Sequence, residues 1–152
     1  MLDVTLAAFL QQGLAINLGT RDESLEPHGA RVTAAVVDAD REHLVLYVPK
    51  VASARVLADL QANGEAAVVF ARPEDDRACQ VKGRYVSHRA ARAAERPAVE
   101  AQWHGFMRQL EAVGMPGESS RRWIVWPCVA IRMRIGEIFS QTPGPDAGAP
   151  LA

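Results

Sequence analysis

Three polar side chains follow one apolar run at a spacing that suits the binding of an anion. The run at residues 44–49 is followed directly by Lys50, and Ser53 and Arg55 come shortly after it. The pattern changes there from strand to helix, so these residues fall beside a helix N-terminus. Free backbone N–H groups, a hydroxyl and two cations would then converge. Because cations oppose the helix dipole at this end, an anion such as phosphate is their natural partner.

Charge and composition limit the partners and the cellular location that we expect for this protein. The net charge is -1 and the pI is about 6.4, whereas nucleic-acid-binding proteins normally carry a basic excess. We therefore expect no nucleic-acid partner. No apolar run is long enough to span a bilayer, so we expect no membrane insertion. The N-terminus has an acid at position 3 and no basic region, and the sequence therefore predicts a cytoplasmic location.

The cysteines and histidines show no metal-binding spacing. Cys79 and Cys128 stand alone in strand-like surroundings, which favours buried small hydrophobic side chains over a disulfide or a nucleophile. The four histidines form neither an HxxxH nor an HExxH pattern. We therefore expect no metal site.

The elements that must position the polar residues follow from hydrophobic periodicity. A short N-terminal helix is predicted at residues 3–12, with Asp3 as its N-cap. A second helix, capped by Ser53, ends at Asn63 and Gly64. Pro97 interrupts a helical region at residues 87–113, which predicts either two helices or one kinked helix. Strands are predicted at residues 14–20, 30–38, 44–49, 65–71, 78–86 and 123–139.

This order predicts an α+β fold built on an antiparallel β-barrel of six or seven strands. The runs at 30–38 and 44–49 form a hairpin, the short helix follows the third strand, and the helical region precedes the last strand. Trp123 and Trp126 would lie on opposite faces of that last strand. Residues 1–141 form a single domain. The Pro- and Gly-rich tail at 142–152 is expected to be flexible, or ordered only by contact.

The helical region carries an apolar stripe. Its members lie three and four residues apart and include Val99, Trp103, Phe106, Met107 and Leu110. Such a stripe packs against a sheet or against another subunit. Together with open barrel edges, it leads us to expect a homodimer.

Several segments together resemble the pyridoxamine 5′-phosphate oxidase-like, FMN-binding split-barrel superfamily. They are ARV at the start of the second β-rich run, LVLYVP leading into SARVLADLQANGEAAVVF, and the CQVKGR strand. The similarity covers roughly residues 3–90. It implies an antiparallel split barrel, FMN as cofactor, and a homodimer with the cofactor at the subunit interface.

The resemblance also implies roles for individual residues. Arg31, Lys50, Ser53 and Arg55 would hold the FMN phosphate. Gln80 and Lys82 share one strand face and would hydrogen-bond the ring or the ribityl chain. Three further candidates for contact with the cofactor, by side chain or backbone, are Val32, Tyr47 and Val48.

The sequence also departs from the pattern of the true oxidases. Val36 stands where they carry a lysine, and Ala54 stands where a second basic residue is common. The C-terminal substrate-binding Arg and His motif has no counterpart here. The leading hypothesis is a flavin-dependent oxidoreductase acting on an unidentified small molecule, with no catalytic acid or base named. The alternatives are a non-catalytic dimeric binding or stress-response module of the same fold, a deazaflavin-binding relative, and a haem-binding relative using His28 or His104.

Overall fold

The computed structural model describes residues 1–151. Helices and strands follow the predicted order, with seven strands and three α-helices. The α-helices are α1 (Val4–Leu10), α2 (Lys50–Asn63) and α3 (Arg96–Ala112), and single 3₁₀ turns lie at Ala93–Glu95 and Gly117–Ser119. The strands are β1 (Ala15–Arg21), β2 (Pro27–Val32), β3 (Ala34–Val37), β4 (His43–Pro49), β5 (Glu65–Ala71), β6 (Ala78–Ala90) and β7 (Cys128–Ser140).

All strand pairs are antiparallel, and the strand order across the sheet is β2-β1-β5-β6-β7-β4-β3. Because β2 and β3 follow one another in the chain but lie at opposite ends of this order, the sheet must curl round on itself. The result is the split barrel of an α+β fold, as predicted. The main core fills the inside of the curl, where strand residues such as Leu18, Val68 and Val81 are fully buried.

The predicted strand at residues 30–38 is divided in two. Residues up to Val32 pair with β1, whereas Ala34–Val37 pairs with β4, so the hairpin between β3 and β4 is confirmed for only part of the run. The break lies at Thr33, whose N–H donates to the Tyr47 carbonyl at 2.8 Å. Residues 34–37 are all apolar, so the run continues through the break and the pattern alone did not reveal it. Val32 and Ala35 lie in the main core, whereas Ala34 lies in a smaller cluster.

Helix α2 begins earlier than predicted. Pro49 is its N-cap and Ser53 lies inside the first turn, so the prediction of Ser53 as the cap was wrong. The Lys50 N–H donates to the Pro127 carbonyl at 2.8 Å, which satisfies one helix-start donor without a side-chain cap. The predicted C-terminal end is confirmed, because Gly64 takes the left-handed conformation with φ 75°.

The predicted helical region at residues 87–113 is also shorter than expected. Its first residues extend β6 to Ala90, and α3 starts at Arg96. Pro97 does not split a helix, because it lies in the first turn, where the missing N–H costs nothing. The stripe residues Val99, Trp103 and Phe106 are buried within this chain.

The last strand begins at Cys128, so neither Trp123 nor Trp126 belongs to a strand, and the prediction of opposite strand faces was wrong. Beyond β7 the chain turns back. The Leu151 N–H donates to the Ile138 carbonyl at 2.7 Å, and Phe139 and Pro150 form a β-bridge. The tail is therefore held against the end of β7. None of the described helices has the length and apolar character needed to cross a membrane.

Candidate functional site

One pocket brings Arg31 to the start of α2. It has a volume of about 320 Å³ and is lined by β2, by the first turn of α2 and by the loop that precedes β7. The residues that matter for its chemistry are Arg31, Val51, Ala52, Arg122 and Trp123. Arg31, Arg122 and the first turn of a helix thus line one pocket.

Arg31 is held by aromatic rings and not by an acid. Its guanidinium carbon lies 4.3 Å from the centre of the Trp123 ring and 5.8 Å from that of Phe106. Within residues 1–151 no carboxylate forms an ion pair with it. Burial lowers the pKa of Arg31, yet a guanidinium stays charged at any physiological pH. The pocket therefore contains a positive charge whose hydrogen-bonding donors are available to a ligand.

The first turn of α2 adds backbone donors to this space. No side chain caps the helix, and the Lys50 N–H is already used by the Pro127 carbonyl. The N–H groups of Val51 and Ala52 have no acceptor within their own helix, since they lie in its first turn. Amide N–H groups at a helix start together with arginine donors are a donor set that fits a phosphate group.

The structure does not bring Lys50, Ser53 and Arg55 together as the predicted anion-binding site. The Ser53 hydroxyl is buried and donates to the Lys50 carbonyl at 2.9 Å, so it is turned away from the helix start. Lys50 and Arg55 are exposed, and neither lines the pocket of Arg31. Of the four residues predicted to hold the phosphate, only Arg31 lines the pocket at the helix start.

Arg55 belongs to a chain of hydrogen bonds that runs under α2. Its Nε donates to His28 Nε2 at 3.0 Å, and His28 Nδ1 lies 2.8 Å from Asp59 Oδ2. The Thr20 hydroxyl donates to the same Asp59 oxygen at 2.7 Å. An imidazole that accepts at Nε2 carries its proton on Nδ1, the nitrogen that faces Asp59. Asp59 is 3% exposed, so this carboxylate is a buried acceptor for two donors.

The pKa of Asp59 is lowered by these partners. Burial alone would raise it, but the hydrogen bonds from Thr20 and His28 outweigh burial, with the charge of Arg55 adding to them. Sequence analysis missed this network. Asp59 is 31 residues from His28 and 39 residues from Thr20 in the sequence. The only local sign of the network is that Asp59 interrupts the apolar residues on the buried side of α2.

Gln80 and Arg31 lie in one row across the outer face of the sheet. Strand pairing aligns Arg31 with Asn17, Asn17 with Val69, and Val69 with Gln80. The backbones of Arg31 and Gln80 are therefore three strand spacings apart, which corresponds to roughly 14 Å. The other sides of β2 and β6 are buried, as Val32, Cys79 and Val81 show. The prediction that Gln80 shares a face with Lys82, opposite Cys79 and Val81, is therefore consistent with the observed burial.

Lys82 lies in the neighbouring row, above an open groove of about 600 Å³. The floor of this groove consists of small residues, because Gly19 pairs with Ala67 and Ala67 pairs with Lys82. Glu137 continues the row beside Lys82. The Lys82 ammonium lies 5.0 Å from the Phe139 ring centre. The groove and the row of Arg31 and Gln80 thus occupy the same outer face.

Val32, Tyr47 and Val48 are placed differently from the polar candidates. Val32 and Val48 are buried in the main core. Tyr47 is buried in a smaller cluster with Val99, and its hydroxyl donates to Glu95 at 2.9 Å. These three side chains are therefore directed into packed interior, and only their backbone remains as a means of contacting a cofactor.

The structure has recognisable relatives by shape alone. No protein-family model matches the sequence, and no curated protein matches it at a significant level. An F420 reductase superposes with a TM-score of 0.58 at 16% identity, over 86% of this chain and 93% of that chain. An FMN-binding protein from Syntrophomonas wolfei superposes with a TM-score of 0.55 at 12% identity, over 91% and 87%.

A third similar structure is HutZ, the haem storage protein from Vibrio cholerae. Its TM-score is 0.50 at 15% identity, over 91% of this chain and 94% of that chain. At such identities the likeness defines the fold and not the ligand. This chain has the split-barrel fold of the pyridoxamine 5′-phosphate oxidase-like proteins.

Proposed function

We propose that this protein binds FMN and is a flavin-dependent oxidoreductase for a small organic molecule. The observation that carries the proposal is the pocket that Arg31 shares with the uncapped start of α2, where no carboxylate of residues 1–151 pairs with Arg31. A phosphate is the group that best satisfies this donor set. The fold, shared with an FMN-binding protein, supports the same ligand.

In the proposed complex Arg31 and the first-turn N–H groups of α2 hold the phosphate. Gln80 and Lys82, on the same outer face, supply hydrogen bonds toward the ring and the ribityl chain. Bound flavin would supply the hydride or electron transfer, and the protein supplies position, charge and exclusion of water. This division of labour accounts for the lack of a predicted catalytic acid or base.

We further propose a homodimer, although the reason differs from the sequence argument. Three residues of the apolar stripe of α3, Val99, Trp103 and Phe106, are covered within the chain and require no partner, while Met107 and Leu110 are half-buried. The new reason is the outer face of β2, β1 and β5, where Gly29, Gly19 and Ala67 pair in one row of small residues; Gly29 is exposed, and Gly19 and Ala67 are half-buried. A second subunit on this face would enclose a cofactor there. Light scattering tests the proposal, and a monomer at all concentrations would contradict it.

The main test compares FMN with riboflavin, which lacks the phosphate. Replacing Arg31→Gln is expected to weaken FMN binding by about tenfold to a hundredfold, since charge-assisted hydrogen bonds contribute about 1.5–3 kcal/mol. Riboflavin binding should be unchanged. The control is Arg108→Gln on the exposed side of α3. Equal losses for both ligands, or no FMN binding by the wild-type protein, would refute the phosphate site.

The other ligands of this fold give distinct outcomes in the same preparation. Mass spectrometry of the extracted ligand separates FMN from a deazaflavin and from haem. His28 does not favour haem, because both of its ring nitrogens already make hydrogen bonds. FMN bound without any turnover of reduced nicotinamides, quinones or nitro compounds would support the non-catalytic alternative.

A further inference from the structure

We infer that Arg122, on the loop before β7, makes the pocket of Arg31 selective for a doubly charged phosphate monoester over a singly charged phosphodiester. This inference rests on the proposed function, since it takes the FMN phosphate as the ligand beside Arg31. Arg122 is a specificity-determining residue in this arrangement, because it adds a second positive charge to the one that Arg31 supplies.

The lining of this pocket is positively charged. Arg31 and Arg122 both line it, and among residues 1–151 no carboxylate does. Within the same residues no carboxylate forms an ion pair with Arg122, whose side chain is exposed. The pocket therefore carries two positive charges that no described lining residue neutralises, in a protein whose net charge is -1.

The loop before β7 fixes the point from which Arg122 extends. Trp123, the next residue, packs against Trp103 with the ring centres 5.4 Å apart. Two residues further on, the carbonyl of Val125 accepts from the Thr33 hydroxyl at 3.1 Å. Because these contacts anchor the backbone beside it, Arg122 stays at the edge of the pocket while its guanidinium is free to bind an anion.

The neighbouring residue, Arg121, provides a matched control. It has the same side chain and is also exposed, but it does not line the pocket. A general effect of charge on this loop would therefore appear when either arginine is replaced. An effect within the pocket would appear only at Arg122.

The charge of the ligand decides how much Arg122 contributes to binding. At neutral pH a phosphate monoester such as that of FMN carries close to two negative charges, whereas a phosphodiester carries one. The Coulomb energy between Arg122 and the ligand is proportional to the charge of the ligand. Arg122 should therefore stabilise a bound monoester about twice as strongly as a bound phosphodiester.

The experiment measures the affinities of FMN, riboflavin cyclic phosphate and riboflavin at about pH 7.5 and fixed ionic strength. These flavins share one ring system and carry about two, one and no phosphate charges. We expect Arg122→Gln to weaken FMN binding by about tenfold and cyclic phosphate binding by about threefold, because halving an interaction energy takes the square root of the fold-change. Riboflavin binding should be unchanged.

Two further variants complete the design. Arg121→Gln should bind all three flavins as the wild-type protein does. Arg122→Lys keeps the charge but not the planar fork, and its FMN affinity should stay within about threefold of the wild-type value. The inference is overturned if Arg122→Gln binds FMN normally, if it weakens the binding of all three flavins equally, or if Arg121→Gln shows the same loss.

A readout without flavin separates the inference from the proposed function. Sulfate, which is doubly charged at this pH, is titrated into the ligand-free protein at constant ionic strength, and tryptophan fluorescence reports binding beside Trp123. We expect a saturable change that is weaker in Arg122→Gln and normal in Arg121→Gln. Sulfate binding that does not depend on Arg122 would refute the inference even if FMN binds. No FMN binding by the wild-type protein would refute the proposed function, and Arg122-dependent sulfate binding would then still support the pocket as a site for doubly charged anions.

Discussion

Arg31 and Arg55 are both candidates for an anion, but the protein holds them in opposite ways. Arg31 rests on Trp123 and Phe106, and no carboxylate in the described part of the chain, residues 1–151, pairs with it. Arg55 is tied through His28 to the buried carboxylate of Asp59. An arginine on aromatic rings keeps its full charge for a ligand, whereas an arginine linked to a carboxylate has part of its field neutralised. Arg31 should therefore govern binding strength, and the Arg55 network should govern protein stability and pH response.

The largest expected effect is the loss of stability when Asp59, the buried carboxylate of the Arg55 network, is replaced. Asp59→Ala removes the acceptor for Thr20 and His28 in a buried position, and we expect the free energy of unfolding to fall by about 2 kcal/mol. Chemical denaturation at neutral pH measures it. Asp75→Ala is the control, because that carboxylate pairs with Arg72 on an exposed turn and should matter less. An equal loss from both variants would show that Asp59 has no special role.

A second effect expected of Asp59 is that it makes the free energy of unfolding depend on pH in acid. The pKa of Asp59 is lower in the folded protein than in the unfolded chain, where it is near 3.8. The resulting stabilisation is fully present above that value and is lost as the pH falls through the folded pKa. Below about pH 4, unfolding free energy should therefore fall more steeply in the wild-type protein than in Asp59→Asn. Parallel curves would contradict the assigned pKa direction.

The smallest effect tests the aromatic support of Arg31. Trp123→Leu removes the ring under the guanidinium, and an exposed cation–π contact contributes about 0.5–1 kcal/mol. We expect FMN affinity to fall by about twofold to fivefold, with riboflavin much less affected. Trp126→Leu is the matched control, since its ring lies near Arg96 and away from the pocket lining. A change in the control as large as in Trp123→Leu would assign the effect to packing of the loop.

Much of the barrel could be predicted because local patterns agree with tertiary packing. Residues 65–71 form a strand as predicted, since alternating small and apolar residues bury Ala66, Val68 and Phe70 on one face. Gly64 ends α2 because it adopts a conformation that most other residues avoid. The errors fell where tertiary contacts replace local signals, as at Thr33 and at the start of α2. At the start of α2 the Pro127 carbonyl accepts from the Lys50 N–H, and no side-chain cap from Ser53 is needed.

The sequence by itself determined the order of the helices and strands, the alternating faces of strands such as β5 and β6, and Arg31 as a cationic residue of the site. The side of β6 that carries Gln80 and Lys82 followed directly from alternation, since the side-chain period of a strand is two. The tertiary structure alone decided which residues meet. Arg31 reaches Trp123, and Asp59 reaches Thr20 and His28, only because the sheet curls and α2 packs across it. Such contacts depend on strand register and barrel closure, which are set by the whole core and leave no local pattern in the sequence.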